Sequence, residues 1–378
     1  MNKTCVIVGA GISGLTVGRI LAENGYIVKI FEKRDHIGGN LYDYYENGFL
    51  IHKYGPHTLH TNNEAVLSFV KRFSDWDEFV LDCGAYFNNK FIKTPFSFDT
   101  LYELFPSRKV ESIIKKLTNT YTEDVSILDL LDNPDEEIHE FAEILYQNDY
   151  LPYAIKQWNL KPTEIDRNIF KRVKIKLSRN VHYFNDKYQL MPKNGYVAFL
   201  RELANHKNIS ICYSTDGSKF LEFKKDRCLY MGENCIIIYT GPLDYLFKNK
   251  FGTLPYRSLT FEIGYSEHSI QPFPVVAYPL DSDFTRITEY KRLTNQNIPG
   301  EIFVKEYSLA SNQSAEPYYP IPCEKNNICY NAYLSESKKY SNFYPLGRLA
   351  TYKYLNMDEA INNALSLAEQ ILNKYNIH

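Results

Sequence analysis

The chain has 378 residues and a formal net charge of −2. That is too long for one compact core, so two or three structural units are expected. The balanced charge gives no reason to expect nucleic acid or an anionic membrane as partner, so any anion site must come from a few placed arginines.

Thr4–Val8 is a β-branched run of the kind found in buried parallel strands. Gly9, Gly11 and Gly14 follow as GxGxxG. The first permits the tight turn, the second lets a pyrophosphate approach the backbone, and the third lets helix and strand pack closely. A helix is predicted from about Ser13 to Asn24, with Gly25 as its stop. The second strand, YIVKIFE, ends on Glu32, where a carboxylate can take ribose hydroxyls. Strand, helix, strand and acid in register define a dinucleotide site; a glycine turn without ligand is the plainer reading. The next stretch, EKRDHIGGNL, adds Lys33, then Gly38, Gly39 and Asn40. A second glycine pair permits another close approach to a pyrophosphate or flavin, which favours FAD over NAD.

Further along, residues from about Thr100 to Tyr153 carry helical periodicity, as in DVSILDLLD and EEIHEFAEILYQ. Residues from about Ile165 to Ala198, and from about Ser258 to Pro322, alternate apolar and polar and read as antiparallel sheet. Ile209 to Phe247 is β-rich, with CIIIYTGP as a buried strand and turn. From Phe343 onward, Ile361, Ala364, Leu365, Ala368 and Leu372 recur at helical spacing.

No run approaches ~20 consecutive apolar residues, so no membrane span is expected. Met1–Leu15 does not read as a signal peptide, because glycines break its short apolar run. Seven cysteines form no CxxC pair; neither a metal site nor a disulfide framework is expected, which fits a reducing cytoplasm. Thirty-two tyrosines read either as core and surface filling or as a phenol-lined pocket for bases and sugars.

After GGN comes GFLIHKYGPHTLHTNN, and later YAIKQW, KRVKI, YFNDKYQ, YTGPLDYLF, YRSLTFE, FTRITEYK, EPYYP and GRLATYKYLNMD. In these segments, spread over nearly the whole chain, the sequence resembles the UDP-galactopyranose mutase family. The resemblance implies an α/β fold: a discontinuous Rossmann-like FAD-binding domain (1–75, 205–247 and 335–378), a helical insert (100–155), and an antiparallel sheet domain (76–99, 156–204 and 248–334). It implies a nucleotide-sugar mutase, most simply converting UDP-galactopyranose to UDP-galactofuranose. Chemistry of that kind uses N5 of reduced FAD as nucleophile at the anomeric carbon. A cytoplasmic homodimer serving cell-surface polysaccharide synthesis is implied as well.

The same resemblance implies residue roles. Arg172 and Arg286 match the pair that holds the departing diphosphate, a role suited to a planar, permanently charged fork. Tyr319, Tyr354 and Tyr183 match tyrosines beside it, and Tyr153 and Trp158 match the uracil platform. His57 and His60 match the histidine segment near the flavin, with His60 counted among the catalytic candidates. Gly347, Arg348 and Met357 match the flavin's pyrimidine edge, where positive charge favours anionic reduced flavin. Arg257, as a cofactor contact, and Glu306 also fall on motif positions.

Against the family pattern, Ala154, Asn159, Lys174, Lys176, Leu190, Tyr290 and Asn356 are departures, as are TLHT and TPFS. Several are expected around the base and sugar pocket. They are either neutral or signs of another sugar nucleotide, such as dTDP-fucopyranose. From a different class, an FAD amine oxidase-like oxidoreductase shares the opening motif; it would need an apolar amine pocket and no arginine pair.

Overall fold

A computed structural model describes residues 3–158, 161–165, 167–171, 173–280, 282–309, 316–321 and 323–375. Its centre is a five-stranded parallel sheet in the order Ile209–Cys212, Ile27–Phe31, Thr4–Val8, Ile236–Tyr239, Phe343–Pro345. The strands thus come from the beginning, middle and end of the chain. Cys5, Val6 and Ile7 are fully buried, as β-branched strands covered on both faces must be. Helix Ile12–Glu23 packs against helices Met357–Tyr375 and Gly195–Ala204. Met357–Tyr375 buries Ala360, Ile361, Ala364, Ala368 and Ile371, the stripe that the 3.6-residue period demands.

A seven-stranded sheet runs in the order Tyr319–Pro320, Tyr256–Ser266, Glu301–Leu309, Arg286–Glu289, Val275–Ala277, Cys83–Phe87, Lys90–Thr94. It is antiparallel except where Val275–Ala277 pairs in parallel with Cys83–Phe87. Helices Phe98–Leu104, Ser107–Thr120, Ile127–Leu131, Glu136–Leu145 and Leu151–Trp158 gather around a separate apolar cluster including Leu101, Ile113, Leu117, Phe141 and Leu145. Ser97 and Ser126 open two of them through capping boxes with Thr100 and Asp129, satisfying N–H groups that a helix start leaves orphaned.

Among the described residues of 165–198 the alternation yields one strand, Tyr188–Pro192, paired with Leu59–Thr61 and Trp76–Glu78. Phe170 and Ile175 are instead buried singly in the helical cluster, Val173 is exposed, and Ile175 and Lys176 make isolated bridges to Val125 and Ser97 rather than a ladder. Gly195–Ala204 packs on the opening helix, and Glu324–Ser337 packs against Leu243–Leu246 and Phe343–Pro345. Gly195–Ala204 lies in a stretch assigned from sequence to the sheet domain, and Glu324–Ser337 crosses the boundary assigned at 334/335.

Candidate active site

The turn after Val8 is narrow. Gly9 has φ of 110°, and a Cβ there would stand 2.0 Å from Thr240 Oγ1, while that hydroxyl donates to the Val8 carbonyl at 2.8 Å. Only glycine fits. Helix Ile12–Glu23 then begins with no side-chain cap at Gly11, leaving N–H groups and the positive end of its dipole for an anion. Gly39, with φ of 58°, brings its backbone so close to Gly11 that an added Cβ would lie 3.2 Å from the Gly11 Cα. The two turns form a cradle that side chains would fill.

Glu32 ends the second strand, buried. Its carboxylate accepts from Ala10 N–H at 2.8 Å and Arg34 N–H at 2.9 Å, which fixes it facing the cradle. Around these groups lies a cavity of about 1060 Å³, at the upper end of the range for small-molecule sites. Gly9, Gly11, Ser13 and Gly14 line it, with Glu32, Lys33, Gly39 and Asn40. His57, Gly347, Arg348 and Met357 line it as well. The doubled glycine cradle, the placed acid and this volume fit FAD.

Lys33 and Arg34 both pair with Glu316, Lys33 at 3.0 Å, and Asn40 Oδ1 accepts two N–H groups from Arg34 at 3.2 Å each. Glu316 also lines the cavity, so this ion cluster joins the second strand to the EPYYP segment. Sequence reasoning missed Glu316; its signal was the acid that opens the motif. Arg257, expected at the cofactor, does not line the cavity. It is buried against Glu306, Nη2 to Oε1 at 3.2 Å, and Ser308 Oγ at 3.1 Å.

A second group adjoins the first. Arg286 and Glu306 are partners across antiparallel strands. Glu306 Oε2 accepts from Arg286 Nε at 2.8 Å and Nη2 at 2.6 Å, so one buried carboxylate bridges two guanidinium groups. Burial disfavours the Arg286 charge, but Glu306, Tyr153 and Tyr319 beside it hold its pKa well above the ordinary value. It therefore stays cationic at any working pH. Tyr319 and Tyr354 stack at 5.5 Å, and the Arg348 guanidinium lies 4.5 Å from the centre of the Tyr319 ring, a cation–π contact. Tyr183 has its phenol pushed up by burial, with Cys83, Tyr153 and Tyr354 adding to the shift, and yet its ring is 40% exposed. Both hold if the ring borders a deep recess, surrounded by protein but open to water. Tyr153 is likewise pushed up by burial and feels Arg286, Glu306 and Arg257.

Burial, then Arg348 and Arg286, push His57 down to about 3, so its ring is neutral. Its Nδ1 is buried with no hydrogen-bond partner among the described residues, as expected of a group facing a bound ligand. His60 stands apart from both groups: Nδ1 meets Asp186 at 2.7 Å, and the ring stacks at 3.7 Å on Phe184, which in turn contacts Tyr183. Arg172 and the side chain of Trp158 lie outside the described residues.

Most of the described departures do not line this cavity. Ala154, Leu190 and Tyr290 are core residues, respectively 4%, 4% and 0% exposed. Lys174 is exposed, and Lys176 pairs with Asp124 at 2.7 Å. Ser97, in TPFS, caps a helix, which asparagine does equally well. Asn356 alone among them lines the FAD cavity; Asn159 lies outside the described residues. Ala154, Leu190 and Tyr290 thus act on any base and sugar pocket through packing rather than through the FAD cavity's lining.

Fold and site together define an FAD-binding α/β protein with a buried arginine–carboxylate cluster beside the cofactor cavity. The family profile of UDP-galactopyranose mutases matches residues 148–354, and that of NAD(P)-binding Rossmann-like domains matches residues 7–73. A UDP-galactopyranose mutase of Mycoplasma genitalium is 38% identical over 97% of this chain and 94% of its own length. A dTDP-fucopyranose mutase of Escherichia coli is 32% identical over 98% of each. The crystal structure of a reduced UDP-galactopyranose mutase superposes with a TM-score of 0.68 at 17% identity, covering 99% of this chain and 94% of that one. The chain belongs to the UDP-galactopyranose mutase family.

Proposed function

We propose that the chain interconverts UDP-galactopyranose and UDP-galactofuranose, with Arg286 as the anchor of the diphosphate. The observation that carries this reading is the permanently cationic Arg286, set among Tyr153, Tyr319 and Glu306, within electrostatic reach of His57 at the FAD cavity. Bound FAD in its reduced form supplies the nucleophile for the anomeric carbon. The chain's own residues do the rest. Arg286, joined by Arg172, binds and neutralises the diphosphate as its bond to the sugar breaks, where charge develops. Tyr183, Tyr319 and Tyr354 orient the phosphates through their hydroxyls. Tyr153 and Trp158 give the uracil a stacking surface. Arg348 sets positive charge at the cavity's His57 end, and Glu306 keeps Arg257 and Arg286 aimed.

A second reading, conversion of a dTDP-6-deoxyhexose such as dTDP-fucopyranose, is favoured by the Escherichia coli relative's name. The cytoplasmic location, homodimer and role in cell-surface polysaccharide synthesis follow the family resemblance; among the described residues no helix is long and apolar enough to cross a membrane.

Dithionite-reduced protein, incubated anaerobically with UDP-galactose and separately with dTDP-fucose, tests these readings by chromatography of the products. The furanose isomer of UDP-galactose is expected. Turnover of the thymidine sugar alone selects the second reading. Oxygen consumption with an amine and no sugar isomer overturns both in favour of an oxidase.

A further inference from the structure

We propose that His52 is a positioning residue: its ring nitrogen, itself set by Tyr290 and Tyr196, holds the backbone of His57 in place against the flavin. The proposal rests on the reading of the cavity as an FAD site. His57 lies on the connection between strands Phe49–His52 and Leu59–Thr61, so no ladder fixes it. Its two backbone groups are satisfied by core side chains instead. The His57 N–H donates to His52 Nδ1 at 3.1 Å, and the Tyr196 hydroxyl donates to the His57 carbonyl at 3.2 Å.

His52 is fixed just as tightly. The Tyr290 hydroxyl donates to its carbonyl at 3.0 Å. Its ring sits edge-on to Tyr196 and to Tyr290, 5.3 Å from each. All three side chains are buried. Accepting at Nδ1 requires the tautomer that carries its proton on Nε2. Tyr290 directly follows strand Arg286–Glu289, so one strand carries Arg286 at its start and delivers the His52 support at its end. The departure EYK thereby acquires a purpose, since a tyrosine at this position spans the distance to the His52 carbonyl.

Packing alone would also bury these rings, and an acceptor swap tells the two apart. Asparagine Oδ1 can occupy the position of His Nδ1, whereas leucine fills space without accepting. FAD-loaded His52→Leu is expected to lose about tenfold in kcat, the weight of one buried hydrogen bond, with KM little changed. The midpoint potential and absorption spectrum of its bound flavin should shift as well. His52→Asn should restore kcat, potential and spectrum most of the way. Tyr290→Phe should shift all three in the His52→Leu direction by less, and Tyr290→His should not restore them. A folded His52→Leu protein with parental potential and kcat overturns the proposal, as does an equal loss in the leucine and asparagine variants. If His52→Leu does not fold, Tyr290→Phe decides, and an unchanged potential overturns it. Potential and spectrum need no sugar turnover, so failure of the mutase reading leaves this test standing.

Discussion

Glu306 concentrates the site's electrostatics in one side chain. It is 3% exposed and answers two guanidinium groups at once. Removing one partner of a buried ion cluster leaves uncompensated charge, which typically costs about 3–5 kcal/mol. Glu306→Ala is therefore expected to lower the unfolding free energy by that much, read from denaturation curves, and to cut turnover, because Arg257 and Arg286 would repel each other. Glu306→Gln retains a hydrogen-bond acceptor and should lose less stability. Equal denaturation curves for parent and Glu306→Ala would show that the bridge is not formed. Arg286→Lys keeps the charge but gives up the planar fork. A charge-assisted hydrogen bond contributes about 1.5–3 kcal/mol, so kcat/KM should fall by about 10- to 100-fold while FAD stays bound, measured by steady-state kinetics and flavin absorbance.

Among the elements, the ones that could be read from sequence are those whose pattern is local. The strand Thr4–Val8, the helix after it and the acid at Glu32 could be placed from residue spacing, since GxGxxG dictates backbone geometry within a few residues. The pairing of Arg286 with Glu306 could not, because it depends on register between strands twenty residues apart. Nor could the ion cluster of Lys33, Arg34 and Glu316, whose members are separated by more than 280 residues; a lysine after the acid reads as a cofactor contact when its distant partner is unknown. That Leu190 and Tyr290 pack inward could not be read either, since motif position carries no burial signal. The Glu316 cluster has a consequence at this scale. It ties the second strand to the EPYYP segment across the cavity's rim, so Glu316→Gln should speed FAD release, and raised salt should do the same in the parent, since surface pairs are screened. Stopped-flow flavin fluorescence reads both; a release rate indifferent to salt and to the substitution would remove the cluster's role. By contrast Ser97→Ala, at the helix cap far along the chain from these residues, should cost about 1 kcal/mol and leave release unchanged.

Across the whole molecule, the buried titratable groups set how stability answers pH. His52 and His57 have folded pKa values pushed down to about 3, His52 by burial and the neighbouring His57, and His57 by burial and Arg348. In the unfolded chain each takes up a proton below about 6.5. The unfolded state then binds more protons, so stability present above that pH is lost as pH falls, by about 1.4 kcal/mol per pH unit for each histidine. Asp43 runs the other way. Burial raises it to about 6, although Tyr196 and Val197 N–H groups favour its charged form. Its contribution is present at low pH and is lost as pH rises from about 3.8 towards 6. Asp149, raised to about 7 by burial, acts in the same sense as Asp43. Between pH 4 and 6 Asp43 and Asp149 therefore offset part of what the two histidines lose. Taking out one histidine breaks that balance. His52→Asn should lose about 2–3 kcal/mol less than the parent on going from pH 7.5 to 4.5, read from urea midpoints at matched ionic strength. Parallel profiles for the two proteins would mean that His52 is charged in the fold, and a charged ring could not accept the His57 N–H at Nδ1.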